Sequence, residues 1–118
     1  MDLIGPAKML KIYIGESDKW QGRPLATALV QRLRAEGVAG ATVLRAVEGF
    51  GANSRIHTAH ILRLSEDLPL VIEVVDTPDR IDRVLPIVDE MVGDGLVTML
   101  DVNVIHYRGK DAGSRGAL

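Results

Sequence analysis

At 118 residues the chain has the length of one domain with a single core. A net charge of −2, with 25% charged residues, excludes a broad electrostatic case for nucleic acid or an anionic membrane as partner. The absence of cysteine excludes disulfides and thiolate chemistry, and 3% aromatics leave the core to Val, Ile, Leu and Met.

Met1–Ala7, with Gly5-Pro6, reads as a flexible leader without the long apolar stretch of a signal peptide. Lys8–Gly15 alternates Leu10, Ile12 and Ile14 against Lys11 and Tyr13, the pattern of a half-buried strand. A polar turn, Glu16–Gly22, carries the sole tryptophan, Trp20, which is expected to staple the turn to the sheet. Pro24 suits the first turn of a helix, where its missing N–H costs nothing. Leu25, Leu29, Val30 and Leu33 then follow at helical spacing and Gly37 supplies a stop, which predicts a helix over Arg23–Glu36.

Ala41–Glu48 is a second strand, and the third, Leu70–Asp76, is a β-branched run of the kind buried on both faces. The connection between them is long and rich in Gly, Arg and His, as functional loops often are. Thr77-Pro78 forms an N-cap and N1 pair. Ile81, Val84, Leu85, Val88, Met91 and Val92 make a stripe of period 3.6 that ends at Gly93-Asp94-Gly95, with Pro86 expected to kink the helix. Val97–Tyr107 is the last strand, and 108–118 is a flexible tail. No run of about 18 apolar residues is present to span a bilayer, so no direct membrane insertion is expected and the cytoplasm is the expected location.

The order β-α-β-loop-β-α-β predicts an α+β, ferredoxin-like βαββαβ sandwich over residues 8–107: a four-stranded antiparallel sheet with both helices on one face. Such a sheet leaves Val43, Val47 or their neighbours wet on its other face, so a homo-oligomer is expected.

Several short motifs are informative together. Gly40-Ala41-Thr42-Val43, Glu48-Gly49-Phe50-Gly51, His57-Thr58 and Leu68-Pro69 before Ile72-Glu73-Val74-Val75 resemble, in order, the PII signalling proteins. Ile12-Tyr13-Ile14-Gly15-Glu16-Ser17-Asp18-Lys19-Trp20, Gly22-Arg23-Pro24-Leu25, Arg63–Pro69 and Val84-Leu85-Pro86 resemble a PII-like family, domain of unknown function 190. The resemblance implies a homotrimer with adenine nucleotide held in clefts between subunits. It also implies a T-loop, here residues 49–69, that signals to a partner such as a membrane transporter or a metabolic enzyme.

By that resemblance the cleft would draw on Thr42, Gly49, Phe50, Gly51, Arg55, His57, Glu73, Gly93, Gly95, His106 and Arg108. Glycines let backbone approach phosphate oxygens closely, and the Arg108 guanidinium fork suits phosphate. Each residue also has a plain structural reading: a turn glycine, a solvated cation, or, for Glu73, an ion pair on an apolar strand. The glycine loop at 93–95 is shorter than in PII and lacks the lysine that follows it there, which favours ADP or AMP over ATP. Arg45, Asn53 and Arg63 could add anion contacts, although a solvated surface role is the expectation for Arg45 and Arg63.

Two other functions are open. His57-Thr58-Ala59-His60 has metal-ligand spacing, as a protein like the trimeric CutA proteins would need, but zinc usually takes three or four ligands and His106 is the remaining imidazole. A small phosphate-processing enzyme would need a nucleophile or base beside an anion hole, and no such constellation is found. A non-enzymatic role is therefore expected.

Overall fold

The computed structural model describes residues 3–51 and 67–109. Strand β1 (Gly5–Gly15) leads into a two-residue ribbon, β2 (Lys19–Trp20) and β3 (Arg23–Pro24). Helix α1 (Leu25–Ala35), strands β4 (Ala41–Arg45) and β5 (Pro69–Asp76), helix α2 (Pro78–Met91) and strand β6 (Leu96–Val104) follow. The sheet order is β4-β5-β1-β6, antiparallel throughout. This is the split βαβ, ferredoxin-like arrangement that the element order predicts.

Alternation along the two central strands decides which face is which. Leu10, Ile12 and Ile14 of β1 stand opposite Val74, Ile72 and Leu70 of β5, and all six are buried. They pack against Leu25, Ala28, Leu29 and Leu33 of α1 and Ile81, Val84, Val88 and Met91 of α2, so both helices lie on this face. A sheet residue points opposite to its neighbour, so Met9, Lys11 and Tyr13 of β1 and Val71, Glu73 and Val75 of β5 look the other way.

That other face carries no helix. Leu44 of β4 and Leu96 and Leu100 of β6 join it and are about half exposed. Val43 does not: it pairs with Ile72 and so points to the helix side, near the sheet edge. Val47 lies beyond β4 and is almost fully exposed. The open face is thus apolar as expected, with Leu44, a neighbour of Val43, as its residue from β4. One polar pair crosses it, with the Lys11 ammonium 3.6 Å from the Glu73 carboxylate in the directly opposed position.

Element ends differ from the sequence reading in informative ways. β1 begins at Gly5, because residues 5–8 find partners along β6 from Val104 to Asp101. Pro24 is the N-cap of α1 in an extended conformation, not a residue of its first turn, because Arg23 and Pro24 are held in the ribbon. Thr77 and Pro78 take their expected places, the Thr77 hydroxyl accepting from the Arg80 N–H at 3.3 Å. α2 runs through Pro86 as one helix. Among the described residues no helix is long and apolar enough to cross a membrane.

Among the described residues one carboxylate is fully buried. Asp76, at the end of β5, accepts from the Ala39 N–H at 2.8 Å and from the Thr77 N–H at 2.7 Å. Arg80 lies with Nε 3.4 Å from the same carboxylate and donates through Nη1 to the Gly37 carbonyl at 2.8 Å. The Arg80 Nε makes no hydrogen bond of its own, so the ion pair is its compensation. Asp76→Ala is expected to strand two backbone donors and this cation, costing about 3 kcal/mol. Asp76→Asn, which keeps one acceptor, is expected to lose less, as read from urea unfolding of the two variants.

At the far edge, the Lys8 ammonium donates to Asp101 at 2.6 Å, tying β1 to β6. This bond, and then the carboxylate's charge, raises the Lys8 pKa above the ordinary lysine value. The pair's stabilisation is therefore complete below the ordinary value and is lost as pH rises through the raised one. NMR titration of the lysine side chains is expected to return Lys8 to ordinary behaviour in Asp101→Asn.

Candidate functional site

Six of the eleven residues singled out in the sequence gather in two places. The register puts Gly5 with Val104, and Lys8 with Asp76, at one end of the sheet. Gly15 with Pro69, Tyr13 with Leu96 and Arg45 with Leu70 mark the other. Eleven residues of β1 span these ends, roughly 33 Å at strand rise.

Toward the Gly5 end lies a hollow of about 390 Å³. Thr42, Glu73 and His106 line it, together with residues 39–41 and Leu3, Val75, Val104 and Tyr107. The start of β4 is held there by the Ala39 N–H bond to Asp76. Glu73 faces the hollow while keeping its Lys11 partner, so the ion-pair reading and the site reading are both open to it. A few polar groups set in an apolar wall is the usual make-up of a small-molecule pocket.

At the Gly15 end is a smaller hollow of about 160 Å³. Phe50, Gly51 and Gly95 meet there with Tyr13, Ile14, Gly15, Asp18, Pro69, Asp94 and Leu96. Residues 50–51 and 94–95, far apart in sequence, are thus brought to one spot. Gly95 is required by close approach: a Cβ there would lie 2.7 Å from the Tyr13 carbonyl oxygen and 3.0 Å from a Val92 methyl. Two carboxylates, Asp18 and Asp94, line this hollow, and no lining side chain among the described residues is cationic.

A family model described as uncharacterised ACR, DUF190, matches residues 7–104. The chain belongs to the DUF190 family. It is 36% identical over 101 residues to a UPF0166 protein of Aquifex aeolicus, covering 84% of this chain and 93% of that one. It is 39% identical over 105 residues to a UPF0166 protein of Methanocaldococcus jannaschii, with 88% and 94% covered.

Among solved structures, the DUF190 chain is similar to CPII bound to ADP and bicarbonate from Thiomonas intermedia. The TM-score is 0.59 at 22% identity, over 86% of this chain and 90% of that one. A putative PII-like signaling protein from Thermus thermophilus gives 0.60 at 20% identity, over 89% and 94%. CPII bound to ADP, AMP and acetate, again from Thiomonas intermedia, gives 0.59 at 17%, over 90% and 94%. At these identities the likeness establishes the fold, which is PII-like.

Other expected residues of this DUF190 chain stand apart from both hollows. Gly49 adjoins the second one and packs near Pro69, while Gly93 and Arg108 are exposed and line neither. Arg55, His57 and His60, with Asn53 and Arg63, lie outside the described residues. Among the described residues no group of three or more His, Asp or Glu could hold a metal ion. Trp20 is half-buried against the core, as a staple would be. Arg45 lines neither hollow; its guanidinium, about half exposed, meets Glu16 at 2.9 and 3.1 Å.

Sequence reasoning missed Asp18, Asp94 and Tyr107 as wall residues. Asp18 and Asp94 sat inside motifs already in view, and their spacing from a glycine turn was the available signal. Gly95→Ala is expected to lower stability by about 1–3 kcal/mol through overpacking against backbone, read as a shifted urea midpoint.

Proposed function

We propose that this chain is a PII-like regulatory protein that binds an adenine nucleotide between the subunits of a homotrimer. Occupancy is reported to a partner, a membrane transporter or a metabolic enzyme, through the 49–69 connection. The observation that carries this reading is the division of the candidate residues between two hollows with no lining residue in common. A cyclic assembly repeats one heterologous contact, and such a contact can set the Gly5 end of one sheet against the Gly15 end of the next. Thr42, Glu73 and His106 of one subunit would then face Phe50, Gly51 and Gly95 of its neighbour.

Two further observations support it. The open face exposes Leu44, Leu96 and Leu100 together, a surface that soluble proteins rarely leave bare, and packing of copies would cover it. CPII, which has this fold, is bound to ADP in one structure and to ADP and AMP in another.

The larger hollow suits the apolar adenine and the smaller one the distal end of the ligand. Asp18 and Asp94 repel each added phosphate there, which favours AMP or ADP over ATP. The role is one of binding and signalling in the cytoplasm, not catalysis.

Light scattering is expected to give about 38 kDa, three chains of 12.8 kDa. Calorimetry is expected to rank AMP or ADP above ATP, and no adenine-nucleotide binding at millimolar concentration overturns the proposal. Thr42→Trp and Gly51→Trp should each abolish binding by filling one hollow. Trimers refolded from an equal mixture of the two should recover binding at about a quarter of their clefts, because a cleft with both halves intact then needs two different subunits. No recovery in mixed trimers would place the cleft within one chain.

A further inference from the structure

The Glu16-Ser17-Asp18 turn enters the nucleotide reading only through the charge of Asp18, yet it is bonded to the ends of β1 and β4 and to the residues just before β5. Glu16 accepts from Arg45, the last residue of β4, through both carboxylate oxygens. The Glu16 N–H donates to the Leu68 carbonyl at 2.9 Å, just before β5. Ser17 donates to one oxygen of Asp67 twice, from its N–H at 3.1 Å and from its hydroxyl at 2.7 Å.

Asp18 closes the turn by accepting from the Gly15 N–H at 2.9 Å, and it lines the hollow beside Phe50 and Gly51. The fit is tight. A Cβ on Gly15 would lie 2.5 Å from the Asp67 carboxylate, and Asp67 itself holds a φ of +53°, which non-glycine residues seldom adopt. The Ala46 N–H to Pro69 carbonyl bond at 2.9 Å joins the two strand ends directly.

We propose that this turn is the positioning element of the candidate cleft. It brackets both feet of the β4–β5 connection, residues 45–46 and 67–69, and so holds Phe50 and Gly51 at the hollow that Asp18 shares with them. The inference rests on the nucleotide reading for its ligand but not for its geometry. Glu16, Ser17 and Asp67 act through Phe50 and Gly51 and are positioning residues. Releasing the bracket lets residues 46–51 populate arrangements that do not bind, and apparent affinity falls by the fraction that remains competent.

The test uses full-length protein in three forms: wild type, Glu16→Gln with Ser17→Ala, and the charge-swapped pair Glu16→Arg with Arg45→Glu. Hydrogen exchange of residues 46–51 is expected to accelerate in the first variant and to return toward wild type in the swap, while exchange in β1 and β5 stays unchanged. ADP affinity is expected to fall roughly tenfold in the first variant, as a loss of nine-tenths of the competent population implies, and to recover in the swap.

Unchanged exchange at 46–51 overturns the bracket whether or not nucleotide binds. Faster exchange with unaltered ADP affinity overturns the positioning role. If wild type binds neither ADP nor any other adenine nucleotide, the nucleotide reading fails and exchange alone decides the bracket. A uniform rise in exchange throughout the chain marks the turn as general stabilisation and overturns the proposal.

Discussion

The register of β1 is the constraint on which the rest of the molecule depends. β1 is paired on both sides, to β5 and to β6, and one residue of slip would exchange its two faces. Leu10, Ile12 and Ile14 would leave the helices, and Lys11 would enter a core with no acceptor for it. The alternation in β1 therefore fixes which face takes α1 and α2 and which stays bare. It also fixes which ends of the sheet carry the two hollows, because β5 and β6 are indexed to it residue by residue.

Asp76 adds the second constraint, at the level of chain reversals. A carboxylate without solvent needs fixed partners, and it finds them on the α1–β4 connection and at the start of α2. Two connections far apart in sequence are thereby locked to one point. The wall formed by residues 39–42 takes its place from that bond. The larger hollow is thus shaped by a residue that does not line it.

Much of this was legible in the sequence, for identifiable reasons. Period-two alternation in β1, the helical stripe of α2 and the Thr77-Pro78 cap are local signals, and local signals need no knowledge of partners. What escaped depends on pairing. Whether Val43 or Leu44 faces outward is decided by the residue opposite on β5, and the Lys11 partner of Glu73 by register across two strands. The ribbon of β2 and β3 turns on Gln21 with a positive φ, a conformation that composition does not signal. For the site, glycine motifs pointed to the right neighbourhoods. The acidic wall of the smaller hollow and the Glu16 contact to Arg45 became visible only once the chain was folded, since sequence shows charge but not which charges meet.

The bracket at Glu16–Asp18 has a consequence for the connection between β4 and β5. Both feet of the β4–β5 connection are held at one place by bonds that do not pass through the intervening residues. Closing a longer loop between fixed feet costs only logarithmically with length, so the sheet does not register how many residues lie between them or which. The turn thereby separates the anchoring of the two feet from the length of chain that joins them. Residues added or exchanged between such feet carry a small entropic cost, and the bonds that hold the feet, the register of β1 and the larger hollow do not depend on them.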